Sequence, residues 1–600
     1  MESETISLPQ LAIRALGEFF AHLSLWKVVG ALAVICILTR ILTQLTSLPG
    51  LRARYPDGSI SPIKVPYWVP YIGHWFSLGF LRKRLLFNAR LPKRGAAFNF
   101  YCWGRRHVVL TTPSMIEGLF KQRQSTSVEP CINYLMDNGF GSSKTMRKPG
   151  REGTCHGESA EWVKLLAEEP HLGDLSSLLA KEVERATPNL VSFTSSVVDQ
   201  YPWERISGVT LRDEEDGERV CVTNLYSLIG GFVGSISINL LMGKSLLDVY
   251  PNILPDLSIF NSKFNAMLLG IQRWIPFPGL VSAYLARRRL LVCLTVHNVV
   301  FSQLEIGQEP EILWRDLDDV SEAVQARMRS RIKQDYSPQY AASEDLSLLW
   351  AITVRANALI FWNLVHLLAD AELHAKVLSE IAPYAKLIRS EPEETGFGLP
   401  EPPRVSLDLD KLVGSCPLLT ATQKETNRLY SSPFTYRKIT SDINLNESEV
   451  DASLASREPQ TYHLSAGDFV VIPHSLRNMD PLYYESPDKF DLRRHLDKST
   501  PEYGTGEDRT DNTSPLISAE EKKSSQDASE GGEVWSTGWD DPASTCWKLE
   551  QRKVIGILAA ILVTWDIEPT NGKGWKVPSR RSGSLVDEPK DIQVKLKMRT

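Results

Sequence analysis

Apolar positions recur with a helical period over most of the chain and with the two-residue period of a strand only in short pieces. The first apolar run, residues 23–42 (LSLWKVVGALAVICILTRIL), carries charge only at Lys27 and Arg40, near its ends. Twenty residues at about 1.5 Å rise cover about 30 Å, the thickness of a bilayer core. The run therefore predicts a transmembrane anchor over residues 23–42, with residues 1–22 on the lumenal side. Acidic Glu2, Glu4 and Glu18 precede it and no small-residue cleavage site follows before Pro49, which argues against a removable signal peptide. Prolines at 49, 56, 62, 66 and 70 then predict a stiff hinge over residues 43–70, because no helix continues through them. Residues 98–112 (FNFYCWGRRHVVLTT) read as strand with a Gly-Arg-Arg turn. Amphipathic helical patterns follow over 174–199, 219–250 and 280–307, and the longest runs over 346–381, apolar on nearly every face in its first half and so expected to cross the core. A further helix is expected over 412–430, while 140–159, 390–406 and 499–532 read as loops, the last an insertion with few large apolar residues. The prediction is a mainly α protein with a small β-rich subdomain, one body over residues 71–600 behind the anchor and hinge.

Composition narrows the function classes. The apolar share is 42% and the formal net charge −5, with no basic stripe interleaved with aromatics, so no nucleic-acid partner is expected. The eight cysteines have no CxxC pair and no recurrent spacing, which suits a reducing compartment rather than a disulfide framework. Arg40, Arg52, Arg54 and Lys64 follow the apolar run, against Arg14 and Lys27 before it, which places the body in the cytosol. The acceptor motifs at Asn446 and Asn512 are then expected to stay unglycosylated.

Two features carry candidate chemistry. Cys546 heads an apolar helical stretch, where the partial positive charge and unpaired N–H groups of a helix start favour a thiolate able to hold a metal. Glu425 and Arg428, three apart on the 412–430 helix, are spaced for a carboxylate–guanidinium bridge. Glu182 and Arg185 share that spacing with no sign of function, so the pair gains meaning only from the ordered segments behind it: SSPFTYRK with Arg437, DFVVIPHSLRNMDP, PDKFDLRRHLD with Arg494, and then Cys546.

In this ordered set the chain resembles the cytochrome P450 family of haem-thiolate enzymes, over almost its whole length. The resemblance implies the cytochrome P450 fold, with Glu425-Thr-Asn-Arg428 as the ExxR signature and Arg494 completing a structural Glu-Arg-Arg triad. It implies haem b as cofactor, Cys546 as the axial thiolate and metal ligand, Arg437 as the partner of a propionate, and Trp539 as the aromatic residue before the ligand. The tract LLWAITVRANALIFW is most similar to the branch holding sterol 7α-hydroxylases and prostacyclin synthases, in which the distal threonine is often replaced. Ala356 or Asn357 stands at that place here, so Asn357 is the candidate catalytic residue, with Thr353 one turn earlier.

The ligand loop departs from the family. Asp540, Pro542 and Lys548 stand where glycines are usual, Ser544 replaces a basic residue, and Asp540 and Asp541 add negative charge beside an anionic ligand. The implied function is a monooxygenase that oxidises a lipophilic small molecule such as a sterol, terpenoid or other secondary metabolite, with dioxygen and electrons from NADPH-cytochrome P450 reductase. It is expected on the endoplasmic reticulum membrane as a single-pass protein. The altered distal helix and ligand loop leave two alternatives: a haem-thiolate isomerase or dehydratase, or a haem-free pseudoenzyme keeping the fold as a scaffold.

Overall fold

A computed structural model describes residues 25–48, 50, 52–75, 77, 95–146, 160–213, 219–310, 314, 317–389, 402–431, 434–496, 547–572, 574–581 and 588–599. The chain divides into two compact units, Met1–Ser127 with Lys438–Val471, and Val128–Arg437 with Ile472–Thr600.

In the first unit helix α1, Leu25–Leu45, carries the N-terminal apolar run and continues past the expected end at 42. Three helices among the described residues are long and apolar enough to cross a membrane. Only 6% of this one is buried, against 78% for Leu225–Met242 and 72% for Pro338–Ala369, so the first alone keeps an apolar surface outward. Its last turns hold the proline segment. Arg40 donates to the Pro66 carbonyl at 2.5 Å, Thr43 Oγ1 bridges the Tyr67 carbonyl and amide at 3.2 Å each, and the Arg40 guanidinium lies 5.4 Å from the centre of the Trp68 ring. The expected 98–112 strand is a hairpin, Ala97–Cys102 against Arg105–Leu110, turning at Trp103 and Gly104, both at positive φ. Ile63–Lys64 adds in parallel on one side, and Phe469–Val471 in parallel on the other with Val108 opposite Val470. Arg106 pairs with Asp468 across that second junction.

The second unit is mainly helical. Helices α2 (His171–Ala186), α3 (Leu225–Met242), α4 (Leu280–Glu305), α5 (Glu322–Lys333), α6 (Pro338–Ala369), α7 (Pro417–Tyr430) and α8 (Trp547–Thr564) make its frame. A four-stranded antiparallel sheet runs in the order Trp565–Pro569, Gln593–Met598, Arg219–Asn224, Thr210–Asp213. Central α6 packs on α3, α4, α7 and α8, and Phe361, Trp362, Leu364 and Val365 on it are wholly enclosed, as its all-round apolar pattern requires.

Local chemistry sets boundaries that periodicity blurs. Helix α6 starts at Pro338, earlier than the expected 346, because the Ser337 hydroxyl accepts from the Tyr340 amide and proline suits a first helical turn. It stops at Asp370, whose carboxylate caps a second helix, Ala371–Ile381, so the expected 346–381 helix is two. The 412–430 segment likewise restarts at Pro417, and the 219–250 segment opens as a strand before α3 begins. Helix α3 ends at Gly243, with φ of 82°, a conformation open to glycine and strained for other residues. The 499–532 insertion and most of 140–159 and 390–406 lie outside the described residues.

Candidate functional site

Helix α7 presents Glu425 and Arg428 on one buried face, where they join at 2.8 Å through both carboxylate oxygens. That fork leaves the rest of the Arg428 guanidinium to donate to the carbonyls of Asn478 (2.6 Å), Pro487 (2.8 Å) and Lys489 (3.2 Å). A planar group with five N–H donors can tie a helix to an irregular segment in this way, which a lysine cannot. Arg494 comes within 3.4 Å of Glu425 Oε1 and donates to the Glu485 and Ser486 carbonyls at 2.6 and 3.2 Å. The Asp491 amide and His495 Nε2 complete the shell of Glu425, at 3.0 and 2.9 Å. Burial acts to raise the Glu425 carboxyl, but hydrogen bonds from Arg428 and His495, the Arg428 charge and the Asp491 amide outweigh it and lower it to about 2. The structure thus brings together the three residues of the expected triad and adds His495. In the sequence His495 is signalled only by its place directly after Arg494.

Cys546 and Trp539 lie outside the described residues. Helix α8 is described from Trp547, the residue after Cys546, and its leading turn is the more open part: Trp547 and Glu550 are half-buried and Lys548 exposed. The second turn docks on its neighbours, with buried Lys553 donating to the Ile352 carbonyl of α6 at 2.6 Å and to Ser237 Oγ of α3 at 3.1 Å. Arg355 of α6 reaches Asn427 Oδ1 on α7 at 3.2 Å and Glu550 Oε1 on α8 at 3.4 Å. Lys553, Arg355 and Glu550 had no motif to mark them, since a charged residue in an apolar helix finds its partner only when the helices meet.

Enclosed as α6 is, Ser347, Ala351 and Val354 remain half-buried on one face, at i, i+4, i+7 spacing. Asn357 is directed at α3, where its Nδ2 stands 2.5 Å from where a Cβ on Gly230 would be, and its Oδ1 is buried without a hydrogen-bond partner. The Thr353 hydroxyl is committed to its own helix, donating to the Leu349 carbonyl at 2.7 Å. Arg437 is buried in the strand Phe434–Ile439. Two residues before it, Thr435 Oγ1 meets His474 Nε2 at 2.9 Å, and burial together with the Arg477 charge lowers the His474 imidazole to about 3, so it is neutral at physiological pH. Phe140, Phe264 and Trp350 form an aromatic wall, with ring centres 5.2 Å apart for Phe140 and Phe264 and 4.2 Å for Phe264 stacked on Trp350.

No protein-family model matches the chain. Among curated proteins it is 23% identical over 532 residues to cytochrome P450 monooxygenase poxD of Penicillium oxalicum, covering 88% of this chain and 91% of that one. It is 23% identical over 473 residues to mouse cytochrome P450 7B1, with 78% and 80% covered. It is also 23% identical over 275 residues to rat 25-hydroxycholesterol 7-alpha-hydroxylase, with 46% of this chain and 58% of that one covered.

Proposed function

We propose, for a chain that belongs to the cytochrome P450 family and is an oxidoreductase of its monooxygenase type, that it oxidises a lipophilic polycyclic molecule at a haem ligated by Cys546. The residues present fit that group. Helix α8 is described from Trp547, the residue after Cys546, and a thiolate at position 546 would draw on the positive end of a helix. The half-open face of α6 at Ser347, Ala351 and Val354 offers small and apolar side chains to a flat macrocycle. Bound haem supplies the activation of dioxygen.

The chain's own residues do the rest. Cys546 would hold the metal, Trp539 would pack beside the ring, and Arg437, buried on its strand, would pair a propionate without competing hydration. The unpartnered Oδ1 of Asn357, three residues beyond Val354, would accept a hydrogen bond from a hydroxyl or water on the distal side. The Glu425–Arg428–Arg494 triad keeps the approach to the ligand loop rigid rather than taking part in chemistry. Phe140, Phe264 and Trp350 suit a sterol- or terpenoid-sized apolar substrate, in keeping with the sterol named by the rat relative. Helix α1 would anchor the protein as a single pass in the endoplasmic reticulum membrane, over domain limits of 23–42 for the anchor, 43–70 for the hinge and 71–600 for the body. Electrons would come from NADPH-cytochrome P450 reductase.

The observation that carries this reading is the buried Glu425 cluster, with Cys546 behind it in chain order. A reduced carbon-monoxide difference spectrum tests it. The full chain purified with haem supplied should absorb at the thiolate position of the family, and Cys546→Ser should lose that band. A well-folded, colourless wild-type protein overturns the reading and leaves a haem-free scaffold. A second reading, isomerase or dehydratase, is favoured by the commitment of the Thr353 hydroxyl to Leu349 and by the lack of a hydroxyl at Ala356. Turnover that depends on reductase and NADPH supports the monooxygenase, and turnover of a peroxide substrate without them supports the isomerase.

A further inference from the structure

Arg40 and Thr43 stand before the last residue of α1, Leu45, by about 7.5 and about 3 Å of helix at about 1.5 Å per residue. Their hydrogen bonds to Pro66 and Tyr67 therefore lay the proline segment along the last two turns of α1 rather than beyond its end. On those turns Ile41, Leu42 and Leu45 are 50%, 61% and 50% exposed. Trp68, 55% exposed, follows at the same level, its ring centre 5.4 Å from the Arg40 guanidinium. The segment expected to be a hinge between membrane and body thus runs beside the apolar surface of the helix.

Two more large rings extend this face. Tyr71 and Trp103 are 68% and 46% exposed and meet edge to face at 6.0 Å, with Trp75 at 5.7 Å from Trp103. Tyr71 and Trp103 both lie at positive φ, 62° and 51°, a conformation that is strained for a bulky residue and persists only where its surroundings enforce it. Here the Gly104 amide donates to the Tyr71 carbonyl at 2.8 Å, and a Cβ on Gly104 would lie 2.9 Å from Tyr71 Cε2. Rings held outward side by side differ from the single exposed apolar residues of an ordinary surface. Trp and Tyr, apolar in body and polar at one edge, are the side chains suited to a membrane–water boundary.

Charge favours the same partner. Residues 25–75 and 95–106 hold seven Lys and Arg against one acidic residue, Asp57, in a chain of net charge −5. Lys64 lies over the Tyr67 and Tyr101 rings at 5.2 and 4.7 Å, and Arg105 over Phe469 at 5.5 Å. Among the described residues no carboxylate pairs with Arg40, Lys64 or Arg105, whereas Arg106 pairs with Asp468. Cations held by rings and carbonyls keep their charge for lipid phosphates.

We infer that the face formed by Trp68, Tyr71 and Trp103, with Arg40, Lys64 and Arg105, seats in the headgroup layer of the membrane that holds α1, the rings at interface depth and the cations on anionic lipid. The inference rests on α1 as the membrane anchor. It makes residues 66–75 and the 103–105 turn a second membrane contact, fixed to the end of the first.

The test is tryptophan quenching in the full chain, reconstituted into vesicles whose lipids carry bromine on the acyl chain close to the headgroup. Replacing a ring that touches these lipids lowers the quenched share of the emission, and replacing one that does not touch them raises it. Trp26, 80% exposed at the other end of α1, is the control for the anchor. Trp26→Phe, Trp68→Phe and Trp103→Phe should each lower the quenched share. A drop for Trp26→Phe alone overturns the inference and leaves the anchor standing, as it would if the face bound a protein or a second copy of this chain. No drop for any of the three sinks the anchor and this inference with it. Quenching of Trp103 should be stronger in phosphatidylserine mixed with phosphatidylcholine than in phosphatidylcholine alone, and the Lys64→Gln, Arg105→Gln double variant should lose that difference. Equal quenching of the wild type in the two lipids overturns the role given to the cations. Circular dichroism follows folding, and should Trp103→Phe fail to fold, Trp68→Phe decides alone.

Discussion

Glu425 is the residue on which most of the described site converges, because its two oxygens serve Arg428, His495, Arg494 and the Asp491 amide at once. Removing one member of such a buried pair strands the other charge, so Glu425→Ala is expected to cost about 3–5 kcal/mol in denaturant unfolding. The pH dependence has a definite sign. The folded carboxyl sits at about 2, below its ordinary value, so the wild type binds fewer protons at this site than its unfolded chain. Its contribution is complete above the unfolded value of about 4.3 and disappears as pH falls toward the folded one. Unfolding titrations from about pH 5 down to about pH 2, which bracket those two values, should show wild type losing this contribution and Glu425→Gln not. Equal slopes for the two would mean the carboxyl is not held in this way. The ExxR spacing was legible from sequence because a helix brings i and i+3 together, whereas the roles of His495 and of the carbonyls of Asn478 and Pro487 depended on how an irregular segment folds back.

Among the elements, the contact of α3 with its neighbours depends on two glycines. A Cβ on Gly231 would lie 2.4 Å from Trp203 Cβ and 3.0 Å from its Cα, where relief requires the Pro202–Ser207 helix to move. A Cβ on Gly230 would lie 2.5 Å from Asn357 Nδ2, the end of a side chain that can rotate away. Gly231→Ala should therefore destabilise by about 1–3 kcal/mol and Gly230→Ala by less, with Asn357→Ala relieving the second but not the first. Thermal unfolding of the three single variants and of each glycine variant combined with Asn357→Ala checks the ranking. Apolar periodicity located α4, α6 and α7 well, and it blurred their ends because Ser337, Asp370 and Pro417 act through single hydrogen bonds or a missing donor. The strand Arg219–Asn224 escaped the helical reading of 219–250 for a further reason: its partner, Gln593–Met598, lies more than 350 residues away in the chain.

For the whole molecule, α1 is expected to decide partition between membrane and solution. The full chain should sediment with membranes and resist alkaline extraction, while a chain lacking residues 1–38 should be released with the Arg40 and Thr43 contacts to Pro66 and Tyr67 intact. Removing residues 1–47 also takes away those contacts, each worth about 0.5–1.5 kcal/mol, and should lower the melting temperature of the truncated protein below that of the shorter deletion. Equal melting temperatures would mean that the latch does not hold the proline segment.

The sequence by itself determined the N-terminal apolar helix, the central helix, the Glu425–Arg428 pair and the order of basic residues and cysteine behind them, because each depends on spacing along one element or on order along the chain. Tertiary structure decided which buried charges answer one another. Arg355 meets Glu550 and Lys553 meets the Ile352 carbonyl across helices far apart in sequence. The reason is physical: a periodicity reports which face of an element is buried, whereas the partner of a buried charge is set by the element that comes to cover it.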